Sequence, residues 1–196
     1  MQCKEMDRLQ LTIALDQNFS EKELAKISEN LGGAFELKDR TYILKATEDK
    51  PPTAVFALGN ISEKNLPSLL GVIKSEYWKK AAKNISKILG KRRRGDDPMI
   101  SFECSIESLR AYMRCKTSNH KVIQAIFEHL DSPLEYLWYL VQKEKLPSSK
   151  AQIYIGFHEK SEAFRIDRAV VLQPDFAEYE FDEKNVKWNK IGVKDS

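Results

Sequence analysis

From Pro67 to Arg94 the chain reads PSLLGVIKSEYWKKAAKNISKILGKRRR, and this stretch constrains the fold more than any other. Leu66, Leu69, Leu70, Ile73, Tyr77, Ala81, Ile85, Ile88 and Leu89 recur at three- and four-residue steps, the mark of a helix with one buried stripe. Pro67 suits a first helical position, where its missing N–H has no partner to lose. Gly90 suits the position just past the end. The expectation is a single long helix that leaves through the cations Lys91 to Arg94, placed where the helix dipole is negative.

The same stretch holds the strongest charge asymmetry in the sequence. Between Lys74 and Gly95 nine cations (Lys74, Lys79, Lys80, Lys83, Lys87, Lys91, Arg92, Arg93 and Arg94) face one anion, Glu76, a local net of +8. The whole chain is only +3, so everything else is net acidic. Lys79, Lys80, Lys83 and Lys87 fall within an arc of about 100° at the turn angle of an α-helix, beside the apolar stripe. Such a ridge attracts phosphate backbones or acidic protein surfaces. The plain alternative is a solvated helix face that keeps the protein soluble.

With 196 residues, 42% hydrophobic and 31% charged, the chain has the composition of a globular protein able to bury a core. No apolar run is long enough to span a bilayer, and the charged MQCKEMDR start lacks a signal region. A cytoplasmic protein without a membrane partner is expected. Cys3, Cys104 and Cys115 are too few for a disulfide framework and lack metal-ligand spacing.

Period-two and period-3.6 segments alternate along the chain. Arg8 to Leu15 reads as a strand, and Ser20 with Glu23 as the capping box of a helix that Gly32-Gly33 stops. Ala34–Leu37 and Thr41–Thr47 read as a hairpin, and Ala54–Leu58 as a further strand. Gly95-Asp-Asp-Pro98 is the clearest break. It divides the chain into subdomains 1–95 and 96–196, unless the two are one continuous domain. Beyond it, Ile100, Phe102, Cys104 and Ile106 alternate with polar residues. Leu109, Ala111, Met113 and Cys115 do likewise, with Arg110, Tyr112, Arg114 and Lys116 on their other side. That pattern predicts a hairpin with Ile106 opposite Leu109 and Phe102 opposite Met113.

Helices over 118–130 and 133–145 follow, the second with a Ser132–Glu135 capping box, folded against each other. Two hairpins finish the chain. In one, Ile153, Ile155 and Phe157 oppose Arg168, Ile166 and Phe164. In the other, Tyr179 opposes Trp188, Phe181 opposes Val186 and Glu180 opposes Lys187. The fold class is α+β: mostly antiparallel sheet with helices on one face, in the order β-α-β-β-β-α then β-β-α-α-β-β-β-β.

Catalytic signatures are sparse. G-x-G-x-x-G, G-x-x-x-x-G-K-[ST] and G-x-S-x-G do not occur, and His120, His129 and His158 lack the close spacing of a zinc pair. No cofactor is expected. Asp16 at the end of the first strand, followed by Glu36-Leu37-Lys38 on the next, resembles the metal-dependent nuclease core of the restriction-endonuclease type. That resemblance implies carboxylates on Mg²⁺ and a lysine that orients the attacking water.

Three functional readings follow. The first is a non-enzymatic binding module whose ridge of Lys79, Lys80, Lys83, Lys87, Lys91, Arg92, Arg93 and Arg94 docks nucleic-acid backbone without reading sequence. The second is an adaptor or accessory subunit, a homodimer or heteromer using the edges of the C-terminal hairpins. The third is the nuclease of Asp16, Glu36 and Lys38.

Overall fold

The computed structural model describes residues 9–38, 42–44, 51–91, 97–107, 109–143, 150–172 and 176–192. The elements run β1 (Gln10–Asp16), α1 (Glu21–Leu31), β2 (Glu36–Leu37), β3 (Tyr42–Leu44), β4 (Thr53–Ile61), α2 (Leu66–Ile73), α3 (Glu76–Leu89), β5 (Met99–Ile106) and β6 (Leu109–Lys116). They continue α4 (His120–Glu128), α5 (Asp131–Lys143), β7 (Ala151–His158), β8 (Ala163–Val171), β9 (Ala177–Asp182) and β10 (Lys187–Gly192). The class is α+β. The strands form one mixed sheet in the order β10-β9-β8-β7-β6-β5-β4-β1-β2, with β3 also paired to β1.

Alternating residues build the buried side of that sheet. Phe56, Phe102, Met113, Ile155 and Ile166 stand opposite one another on five successive strands, all buried. The helices cover this side. Phe127 of α4 meets Phe56 and Phe102 edge-on at 5.1 and 4.8 Å, and Trp78 of α3 lies 5.7 Å from Phe127. Each such aromatic pair adds about 0.5–1.5 kcal/mol beyond the area it buries.

Leaving the other side open among the described residues is unusual for this topology. β4 and β5 are parallel, as are β6 and β7, but β5 and β6 are antiparallel. The α2–α3 and α4–α5 crossovers therefore step the same way across the sheet from oppositely directed strands. Placing both on one face requires opposite hands, whereas about 98% of such connections are right-handed. Two right-handed crossovers would have covered both faces.

Local chemistry sets several boundaries as expected. Ser20 caps α1 and Glu23 reaches back to the Ser20 N–H at 2.8 Å, a complete capping box. The β5–β6 hairpin pairs Ile106 with Leu109, Phe102 with Met113 and Cys104 with Ala111, as alternation predicts. Strands on either side of the Gly95 break, β4 and β5, are hydrogen-bonded neighbours.

Other expectations are corrected. The single long helix is two: α2 ends at Ile73, and Ser75 starts α3 by accepting from the Trp78 N–H and donating to the Val72 carbonyl. The break re-phases the stripe, so Trp78 is buried and Tyr77 is 41% exposed. The β2–β3 hairpin does not form. β2 pairs with the start of β1 and β3 with its end, both parallel, because α1 carries the chain back over the sheet.

Helix α5 begins at Asp131, so Ser132 lies inside its first turn and the Glu135 carboxylate takes Lys74 in place of a cap. α4 packs along α3, and α5 lies over β5 and β8, not along α4. A bulge in β7–β8 leaves Ile155–Ile166 and Phe157–Phe164 paired but moves Arg168 to Tyr154. β9–β10 is shifted by two residues: Phe181 opposes Trp188, Glu180 opposes Asn189 and Lys187 opposes Asp182. A two-residue shift keeps every side chain on its face, so the aromatic contact, 4.8 Å between Phe181 and Trp188, survives with a different partner.

Candidate functional site

Helix α3 sits between α1 and α4 and is fixed from both sides. On the α1 side the Tyr77 hydroxyl donates to the Asn30 carbonyl at 2.5 Å and accepts from the Gly33 N–H at 3.1 Å. Asn84 Nδ2 donates to Asn30 Oδ1 at 2.8 Å. A Cβ at Gly33 would lie 2.7 Å from the Tyr77 oxygen, so a larger residue there would displace the Tyr77 ring end. On the α4 side Trp78 is buried against Phe127. The opposite face of α3 points to solvent.

The described cations of the predicted ridge, on α3 and just before and after it, fall into two groups. Lys74 and Lys79 are engaged. Lys74 Nζ lies 2.7 Å from Glu135 and 3.6 Å from Asp131, and Lys79 Nζ lies 2.6 Å from Glu76. Hydrogen bonds to Glu135 and to Glu76 raise the pKa of Lys74 and Lys79 above the ordinary lysine value. Lys80, Lys83, Lys87 and Lys91 are exposed and make no ion pair among the described residues. Lys80, Lys83 and Lys87 fall within an arc of about 60° and rise about 10 Å along the axis. Arg92, Arg93 and Arg94 lie outside the described residues.

Asp16, Glu36 and Lys38 are not brought together. Asp16 is buried at the C-terminal end of β1, and its carboxylate accepts from the Asn18 N–H at 2.9 Å and from the Thr53 N–H. Glu36 stands opposite Gln10 at the other end of the strand. Six residues of strand separate the two positions, about 20 Å. Among the described residues no group of three His, Cys, Asp or Glu could hold a metal ion. The Cys104 and Cys115 thiols are buried, which pushes their pKa values to about 12 and about 11.

A second surface lies on the uncovered side of the sheet. Ala57, Glu103, Tyr112, Tyr154 and Arg168 form one transverse row over five strands, each opposite the next. The Tyr112 and Tyr154 rings stack at 5.3 Å with 16° between planes. The Arg114 guanidinium lies 4.7 Å from the Tyr112 ring and 5.6 Å from the Tyr154 ring, and Arg168 lies 5.1 Å from Tyr154. Their nearest carboxylates, Glu103 and Glu178, are each 3.9 Å away, beyond ordinary hydrogen-bond length. Alternation on β6 placed Arg110, Tyr112 and Arg114 on one side. Sequence alone did not show that Tyr154 and Arg168 join them, because that depends on which strands are neighbours.

Beside Tyr112 the sheet is indented. The β4–β5 register shifts between Ala57 and Gly59, where Gly59 has φ +73° and open space in place of a side chain. The recess, about 190 Å³, is lined by Glu103, Ser105, Arg110 and Tyr112 among others. On the far side of the face, Asp167 sits over Gly156 with His158 Nε2 3.9 Å away. Partial burial raises the Asp167 pKa, against the opposing pull of His158 and Arg168.

Comparison with protein-family models, with curated proteins and with solved structures finds no match. No helix among the described residues is long and apolar enough to cross a membrane.

Proposed function

We propose that the protein is a non-enzymatic module that binds nucleic-acid backbone along α3. The observation that carries this reading is the run of Lys80, Lys83 and Lys87 on one side of α3, with Lys91 in the turn that follows, all exposed and left without carboxylate partners among the described residues. Tyr77 and Trp78 are held by Asn30, Gly33 and Phe127, so the helix offers no free ring for stacking and the contacts are to phosphate. Lys79 contributes less, since Glu76 holds it. Arg92, Arg93 and Arg94 extend the same track in sequence. Duplex DNA binding at low salt, compared with a variant carrying Lys80, Lys83, Lys87 and Lys91 all as Gln, tests the proposal. Undiminished affinity in the variant refutes it.

One observation favours a second reading, a protein–protein module. β10 is the last strand of the sheet, its outer edge carries no described partner strand, and Ile191 is 57% exposed on it. A strand from a second copy or another protein would pair there. Light scattering that finds a stable dimer, together with no nucleic-acid binding at low salt, favours this reading over the first.

A further inference from the structure

We propose that the open side of the sheet is a second site, which binds single-stranded nucleic acid by stacking a base on Tyr112 in the adjoining recess and holding phosphates with Arg114 and Arg168. The proposal is independent of the α3 reading, because α3 lies on the opposite side of the sheet.

The chemistry of the row selects the occupant. The Tyr112 and Tyr154 rings are stacked on each other, so Tyr154 braces Tyr112, and the side of Tyr112 that walls the recess gives a π-surface that any base can use. Arg114 and Arg168 rest against those rings, which fixes the guanidinium planes while their N–H forks stay beyond hydrogen-bond reach of Glu103 and Glu178. A fork held in place with unused donors suits a phosphate. Arg110 and Arg165 stand exposed on the same side, so four arginines surround the two tyrosines.

The recess supplies room for one base. Its 190 Å³ compares with an engineered cavity of about 150 Å³ that holds benzene. Tyr112 forms a wall, while Glu103 accepts from an amino group and Arg110 donates to a carbonyl oxygen. An acidic peptide would use the arginines but has no flat ring to fill the recess against Tyr112. A duplex keeps its bases inside and can reach neither the rings nor the recess. A single strand satisfies all three features together.

Fluorescence anisotropy at low salt with a labelled single-stranded decanucleotide, and with the duplex of the same sequence, tests this. Replacing Tyr112 by Ala is expected to weaken single-strand binding by about 5- to 100-fold, whereas Tyr112→Phe stays within about twofold of wild type. Arg114→Gln, on an exposed side chain that leaves the core untouched, is expected to weaken it as well, which guards against misfolding of the Ala variant. The variant with the four α3 lysines replaced by Gln is expected to keep single-strand binding whatever happens to its duplex binding. The proposal is overturned if wild type binds no single strand. It also fails if Tyr112→Ala and Arg114→Gln bind as tightly as wild type, if the variant with Lys80, Lys83, Lys87 and Lys91 as Gln loses single strands, or if polyglutamate competes equally well per charge.

Discussion

Trp78 Nε1 donates a 2.7 Å hydrogen bond to the Phe127 carbonyl, inside the core and away from water. The bond joins α3 to α4, and it sets which side of α3 faces outward with its lysines. Trp78→Phe keeps much of the ring and removes the donor, leaving the Phe127 carbonyl without its short bond and dependent on the long 3.4 Å bond from the Leu130 N–H. Such a loss costs about 1–3 kcal/mol, so the urea midpoint falls by a corresponding amount.

Ser75 separates α2 from α3 by capping the second helix and closing the turn onto Val72. Ser75→Ala is expected to cost about 1 kcal/mol in chemical denaturation. Nucleic-acid binding by α3 should be reduced no more than the lost stability explains.

Asp16 ties the end of β1 to the start of β4. Asp16→Ala leaves two backbone donors without their charged acceptor and is expected to cost about 1.5–3 kcal/mol. Glu36→Gln, on an exposed side chain at the opposite end of β1, should change neither stability nor any metal-dependent nuclease activity. Assaying wild type and variant side by side with Mg²⁺ checks the second half.

The buried thiols make stability fall at alkaline pH. Folded Cys104 titrates near 12, against 9.0 for an ordinary thiol, so the folded state holds its proton while the unfolded chain releases it. This contribution is fully present below pH 9 and is lost as pH rises towards 12. By pH 10 roughly 1 kcal/mol of it has been lost for Cys104. Cys104→Ala is expected to flatten the stability–pH curve between pH 9 and 11. In native protein both thiols should react with a disulfide reagent only at the rate of unfolding.

What the sequence revealed divides along physical lines. Local rules were legible: the Ser20–Glu23 box follows from spacing alone, and alternation with a two-residue turn leaves β5–β6 one register that buries Phe102 and Met113 together. Alternation names the face of a strand but not its neighbour. That is why Glu36–Leu37 and Tyr42–Leu44, which join β1 in parallel, read as a hairpin, and why Tyr154 was not seen beside Tyr112. The aromatic pairing of β9–β10 is satisfied by Tyr179 or Phe181 against Trp188, so its register slipped by two. The lysine face of α3 was visible because it needs only helical periodicity. Ser75 was the missed sign of the break, since apolar residues continue on both sides of it.

Contact between these lysines and phosphate is read from the salt dependence of duplex binding. Each lysine that neutralises a phosphate contributes about −0.9 to the slope of log affinity against log salt. Replacing Lys80, Lys83, Lys87 and Lys91 by Gln should therefore make the slope shallower by about 3 to 4 and weaken binding most at low salt. An unchanged slope, or a wild-type protein that binds no duplex even at low salt, would contradict the account.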